Sequence, residues 1–209
     1  MNLKKIISFS LWGDDLMYWN GAIENIHLAK KLYPGWKCRF YIDYYADKEL
    51  IKKVEVEDCE IVRIEPLQSF SGLFWRFYAA EDADIMICRD ADSRISQREV
   101  YAVNEWLESD KHFHIMRDHP HHHTLILGGM WGARNMEGIT ELINTYPYQN
   151  LKGTDQLFLA EQIYPQVKDS AMIHDSYNLY QDGTNFPSKR IREEFVGSVF
   201  DKNGKPVYL

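Results

Sequence analysis

Two carboxylates one residue apart are the residues best placed to do chemistry. Asp90 and Asp92 follow the apolar run Ala83-Asp84-Ile85-Met86-Ile87-Cys88 and stand between Arg89 and Arg94. In an extended chain, side chains at i and i+2 point to the same face, so the pair can converge on one hard cation. Hard divalent ions prefer oxygen ligands, and Mg²⁺ typically binds one or two carboxylates plus substrate phosphates. Ligands of open α/β sheets sit at the carboxyl ends of strands. The expectation is a metal–diphosphate site. The plainer reading stands beside it: Asp starts turns and caps helices. Ser93 or Ser96 can cap a following helix, with Glu99 three residues after Ser96 as a capping box.

Other candidates lie scattered along the chain. Ser8-Phe9-Ser10-Leu11-Trp12-Gly13 does not match the G-x-G-x-x-G dinucleotide fingerprint. Its small polar residues could contact a nucleotide base or ribose, or simply end a strand. Arg76 sits in the aromatic segment Gly72-Leu73-Phe74-Trp75-Arg76-Phe77. It is either a stem packed over rings or a fixed cation aimed at phosphate. Arg89 and Arg94 face the same choice, or orient the carboxylates beside them. Four histidines crowd into 119–123 around Pro120, in no spacing typical of zinc. That loop is a solvated rim of the site or, more sharply, an acceptor contact. Gly128 and Gly129 interrupt a strand-like run, which suggests a bulge or a close backbone approach; a sugar would need such room, and so would a plain bend. Asp155 and Gln156 open a helix, where they could cap it or bond sugar hydroxyls. His174 follows a short strand and is either structural or the completion of a metal shell begun by distant carboxylates.

These residues need elements to gather them. Lys5–Trp12, Lys37–Asp43, Cys59–Glu65, Ala83–Cys88, Lys111–Met116, Leu125–Arg134 and Ala171–Ile173 read as strands. Tyr18–Tyr33, Lys48–Val54, Leu73–Glu81, Gln97–Glu108, Gly138–Thr145 and Thr154–Ile163 read as helices, the last capped by Thr154 or Asp155. Strand–helix alternation predicts an α/β fold with a mostly parallel sheet. From Leu179 onward the chain is polar, with a hairpin expected at Asp201-Lys202-Asn203-Gly204. That stretch fits a surface wrap or the cut edge of a longer protein.

Composition narrows the classes. A chain of 209 residues with 45% hydrophobic content suits one globular domain, residues 1–209. A net charge of −7 argues against a general nucleic-acid binder. It does not forbid an anionic nucleotide, because a metal and a few Arg reverse the sign locally. Cys38, Cys59 and Cys88 show no C-x-x-C spacing, and buried free thiols are expected. There is no signal-type h-region and no spanning apolar run. The expectation is a cytoplasmic protein with no transmembrane segment.

In this order, the segments resemble nucleotide-sugar glycosyltransferases of the GT-A fold, a Rossmann-like, mixed and mostly parallel sheet flanked by helices. The layout is similar to galactosyltransferase-type retaining enzymes, in which a late His joins two Asp on Mn²⁺. The wording SFSLWG, YPGWKCRFY, FWRF, RDADSR, HIMRDHP, LGGMWGAR and GTDQ resembles a group of small bacterial and viral domains, a chlorovirus domain among them. The likeness spans about residues 5 to 178. It implies that Asp90, Asp92 and His174 bind Mn²⁺ (or Mg²⁺). It implies that Ser8, Phe9, Ser10 and Trp12 line the nucleotide pocket and that Arg76 holds phosphate or the donor. It places Gly128 and Gly129 beside the donor sugar, and Asp155 and Gln156 near its anomeric carbon. The donor would be UDP-linked glucose or a deoxyhexose, and the acceptor a glycan hydroxyl. The acceptor half is short for the family, which leaves acceptor size open.

The implied reaction is hexose transfer. Inversion would need a general base, for which Asp118 or Asp155 could serve. Retention can use front-face attack, with the leaving phosphate taking the acceptor proton, and the resemblance leans this way. The rivals are a nucleotidyltransferase, which usually shows a Gly-rich basic loop after the first strand, and a HAD-type phosphatase, which carries its Asp-X-Asp on that strand. A non-catalytic nucleotide-sugar or glycan-binding module of the same fold is the third.

Overall fold

The computed structural model describes residues 3–147, 150–191 and 194–207. Strands β1 (Lys5–Leu11), β2 (Lys37–Asp43), β3 (Glu60–Ile64), β4 (Ile85–Cys88), β5 (Phe113–Arg117), β6 (Trp131–Arg134) and β7 (Ala171–Asp175) form one sheet. Their order is β3-β2-β1-β4-β6-β5-β7. All neighbours are parallel except β6, which runs antiparallel to both β4 and β5. Strand order reverses at β1 and β4, so the crevice beyond their carboxyl ends is the expected ligand site of such a sheet.

Helix boundaries follow from local chemistry. Helix α1 (Leu16–Leu32) starts where the Asp15 side chain accepts from the Met17 N–H. Its last turn carries Lys30 and Lys31, which complement the helix dipole. Helix α2 (Lys48–Glu55) is capped by Asp47, and α4 (Gln97–Glu108) by Ser96, which accepts from the Glu99 N–H. The Glu99 carboxylate does not close a capping box; it pairs with Arg89 at 2.9 Å and accepts from the Tyr33 hydroxyl.

Alternation along the strands builds two large cores, beside a smaller cluster of Ala102, Met116, Met130, Phe186 and Val196. Ile7, Phe9 and Leu11 of β1 face α1, α2 and α4, packing with Trp19, Ile26, Val54, Val103 and Trp106. The opposite face packs Phe74, Trp75, Phe77, Trp131 and Phe158. Each such ring contributes roughly 1.5–3 kcal/mol when fully buried.

Three segments depart from the sequence reading. The expected helix Leu73–Glu81 is a short α3 (Gly72–Trp75) followed by a 3-10 stretch over Arg76–Glu81. Only Trp131–Arg134 of the run Leu125–Arg134 is strand. Helix α6 (Thr154–Phe158) passes into a π turn at Leu159–Ile163, and its cap is Gly153 rather than Thr154 or Asp155. Gly153 adopts φ +85, a conformation that glycine takes without steric cost. Helices α5 (Ile139–Thr145) and α7 (Tyr164–Val167) complete the described set. No helix among the described residues is long and apolar enough to cross a membrane.

Candidate active site

The site grows from the end of β4. Asp90 and Asp92 converge through a turn rather than by extended alternation: the Ser93 N–H and hydroxyl both bond the Asp90 carbonyl, at 3.2 and 2.8 Å. Neither flanking arginine touches the carboxylates. Arg89 is buried against Glu99, and Arg94 donates to the Ala91 and Ser93 carbonyls, holding the backbone of the turn.

Two serines of β1 fix Arg76 beside the pair. The Ser8 hydroxyl donates to the Arg76 carbonyl at 2.6 Å, and the Arg76 N–H donates to Ser10 Oγ at 2.9 Å. The guanidinium then bridges two carboxylates, Nη1 to Asp90 at 2.7 Å and Nη2 to Asp155 at 2.9 Å. Its terminal nitrogens are engaged with carboxylates, so Arg76 orients acids instead of standing as a free phosphate cation. Asp90 and Asp155 hold its charge on, against the cost of burial.

A cavity of about 610 Å³ opens over this cluster, lined by Ser10, Trp12, Tyr18, Arg76, Asp90, Asp92, Gly128, Asp155 and Gln156 among others. Ser8 and Phe9 do not reach it. Ser8 is fully buried under Arg76, and Phe9 stacks on Phe40 at 4.8 Å in the opposite core. Strand alternation turns Phe9 to the opposite face, and depth separates the rest: Ser8 shares the face of Ser10 and Trp12 but lies beneath Arg76.

The glycines make room for side chains of this chain. A Cβ on Gly128 would lie 2.2 Å from Asp155 Oδ2 and 2.4 Å from Arg76 Nη2, and one on Gly129 would lie 2.1 Å from Asp90 Oδ2. That room is filled by the carboxylates and the guanidinium of this chain, and Gly128 also lines the cavity.

Two expected residues are elsewhere. His174 is fully buried and does not meet Asp90 and Asp92. Its Nδ1 faces His114 at 2.8 Å and its Nε2 faces Glu105 at 3.2 Å. The face of β7 that carries it is turned to α4, away from the cavity. Among the described residues, no group of three acidic, His or Cys side chains could hold a metal ion. Asp118 is also fully buried. It accepts from Arg98, Ser176, Arg190 and the Val196 N–H, and these bonds hold its carboxyl below the usual range despite burial. It is an anchor, not a free base.

The donor set that remains is two carboxylates facing one cavity. Burial, then repulsion from Asp90, pushes Asp92 up to about 6. Burial also raises Asp155 against the pull of Arg76. A divalent ion that shares its shell with diphosphate oxygens and water fits such a pair.

The sequence reading missed the fourth wall. The C-terminal stretch folds back over the turn: the Phe200 N–H bonds the Asp92 carbonyl at 2.9 Å, and Ser93 bridges Val199. Phe195, Gly197 and Val199 line the cavity, as do His122 and Lys152. Polar and without periodicity, this stretch carried no signal beyond its turn; that hairpin is present, with Asp201 N–H to the Lys205 carbonyl at 2.8 Å. A larger groove, about 820 Å³, lies on the other side of the tail and lacks the carboxylate pair.

Comparison with solved structures bears on the fold. A glycosyltransferase involved in glycosylation of the major capsid of PBCV-1 superposes with a TM-score of 0.54 at 15% identity, over 83% of this chain and 82% of that one. This is the GT-A fold. Glucosyl-3-phosphoglycerate synthase from Mycobacterium tuberculosis, in complex with Mn²⁺, UDP and phosphoglyceric acid, matches with a TM-score of 0.55 at 12% identity, over 90% of this chain and 72% of that one. The mannosyltransferase PcManGT from Pyrobaculum calidifontis, in complex with GDP-Man and Mn²⁺, matches with a TM-score of 0.50 at 12% identity, over 75% and 50%. No protein-family model and no curated protein matches the sequence. In this GT-A fold, the carboxylate pair occupies the carboxyl-end crevice between β1 and β6.

Proposed function

We propose that the chain is a metal-dependent glycosyltransferase that moves a hexose from a nucleoside-diphosphate sugar, UDP-linked, to a glycan hydroxyl. The observation that carries this reading is the Asp90–Asp92 pair, facing one cavity at the point where strand order reverses. The solved neighbours add that the fold houses UDP, GDP-Man and Mn²⁺ in other proteins.

Asp90 and Asp92 would hold Mn²⁺ or Mg²⁺, with no third side chain from His174. The bound ion would supply Lewis-acid neutralisation of the diphosphate charge as the leaving group departs. Ser10, Trp12 and Tyr18 line the β1 end of the cavity, where the nucleoside fits. Arg76 keeps Asp90 and Asp155 in place, and pre-organisation of this kind lowers the cost of stabilising developing charge. Asp155 and Gln156 then face the transferred sugar.

Retention is the favoured stereochemistry. The C1–O bond to diphosphate breaks with its electron pair going to the leaving oxygen, the acceptor oxygen bonds C1, and its proton passes to a phosphate oxygen. Asp118 is saturated, and Arg76 ties Asp155 to Asp90 on the leaving-group side. No other carboxylate among the described residues lines the cavity beyond Asp92. The test is hydrolysis and transfer with a panel of UDP-sugars, reading product anomers by NMR. Expected is turnover that needs metal and falls at least a hundredfold in Asp92→Asn. Turnover unchanged in that variant would remove the metal role, and an inverted product would remove the retaining step.

A further inference from the structure

The four-histidine loop after β5 sends one ring, His122, into the wall of the cavity. Its Nδ1 accepts from the backbone N–H of Asp118 at 3.0 Å. A backbone N–H can only donate, so Nδ1 carries the lone pair and the neutral ring keeps its proton on Nε2. Burial, then the neighbouring His119, lowers the ring to about 4, so it stays neutral at pH 7. The ring is also fixed from the side. Phe195 meets it edge-on at 5.7 Å, and a turn bonds the His122 N–H to the His119 carbonyl at 2.9 Å. The Nε2–H has no partner among the described residues.

Sheet order gives this donor a place relative to the rest of the site. From β1 to β5 the chain crosses β4 and β6, three strand spacings or about 14 Å. Ser10 and Trp12 stand at the β1 end and the carboxylate pair at the β4 end. His122 stands beyond β5. On the functional reading above, nucleoside and diphosphate occupy the first two positions, so the sugar acceptor falls at the third. A protonated Nε2 can neither ligate a metal nor take a proton. It can donate one oriented hydrogen bond to a neutral oxygen, which is the requirement for an uncharged sugar hydroxyl.

We propose that His122 is the acceptor-binding residue, donating its Nε2–H to a hydroxyl of a neutral hexoside and so setting which acceptor oxygen faces the transferred sugar. This inference rests on the glycosyl-transfer reading, and the experiment separates the two. Titrate UDP with Mn²⁺ into the wild type, His122→Ala and His122→Gln. Then titrate methyl α- and β-glycosides of glucose, galactose, mannose, fucose and rhamnose into each saturated complex. Expected is equal UDP affinity in all three proteins. At least one glycoside should bind the wild type, weaken roughly three- to tenfold in His122→Ala as for one lost hydrogen bond, and recover in part with the amide N–H of His122→Gln. Glycoside binding unchanged in His122→Ala would overturn the assignment. So would the absence of glycoside binding to a wild type that takes UDP. Failure of the wild type to bind UDP with Mn²⁺ would instead remove the underlying functional reading, and this assignment with it.

Discussion

Asp118 accepts from Arg98, Arg190, Ser176 and the Val196 N–H, and none of these donors is a substrate. Removing it would leave two guanidinium groups without their buried partner. Breaking such a pair costs about 3–5 kcal/mol, so Asp118→Ala is expected to melt at a clearly lower temperature by calorimetry, whether or not metal is present. A variant of unchanged stability that had lost transfer alone would return Asp118 to the role of base. Asp155 differs because it lines the cavity. Its carboxylate, held by Arg76 at 2.9 Å, faces the cavity. Residue type made both acids candidates in the sequence; both are buried, and what separates them is that Asp155 lines the cavity while Asp118 is saturated by its own donors.

Elements carry the precision of the site. The segment Gly128-Gly129 allows the Arg76, Asp90 and Asp155 groups to pack against backbone. In Gly128→Ala the new Cβ would meet Asp155 and Arg76 well inside contact distance. The expected cost is about 1–3 kcal/mol, with loss of UDP binding in the presence of Mn²⁺, measured by titration calorimetry. Full binding in a stable Gly128→Ala protein would show that the Arg76 bridge is dispensable. A second element effect concerns the strands β5 and β7. His114 and His174 are buried as a pair, and burial lowers both below the ordinary histidine value. The unfolded chain takes up protons near pH 6.5 while the folded chain does not, so these residues stabilise fully above that pH and their contribution is lost as pH falls. Melting temperature measured from pH 7 to pH 5 should therefore fall less steeply in His114→Gln than in the wild type. Equal slopes would mean that the pair does not titrate differently on folding.

At the scale of the molecule, periodicity made most of the fold legible. Apolar runs and alternation marked the strands, β6 within too long a run, and Ser96 marked the start of α4; Asp15 and Asp47, which cap α1 and α2, were not legible as caps. The carboxylate pair, Ser10 and Trp12 were legible as types near strand ends, and Arg76, Asp155 and Gln156 as types in helical segments; they line one cavity. Ser8 and Phe9 were not separable from Ser10, because face and depth along a strand depend on what packs above it. His174 misled because a late histidine looks the same in sequence whether it faces the crevice or α4. The wall built from Phe195, Gly197 and Val199 was invisible, since its position comes from tertiary bonds to Asp92, Ser93 and Asp118. Truncation after Ser198 keeps the Val196 anchor and removes the Val199 and Phe200 contacts. It is expected to leave a folded protein that binds UDP with Mn²⁺ roughly tenfold more weakly, or about 1.4 kcal/mol. Unchanged affinity would make the tail a bystander. The most direct measurement is calorimetric titration of UDP into the wild type and Asp92→Asn, with Mn²⁺ and then with EDTA. The expected result is binding by the wild type only with Mn²⁺ and none by the variant; equal binding with EDTA, or by Asp92→Asn, would contradict a metal–diphosphate site at Asp90 and Asp92.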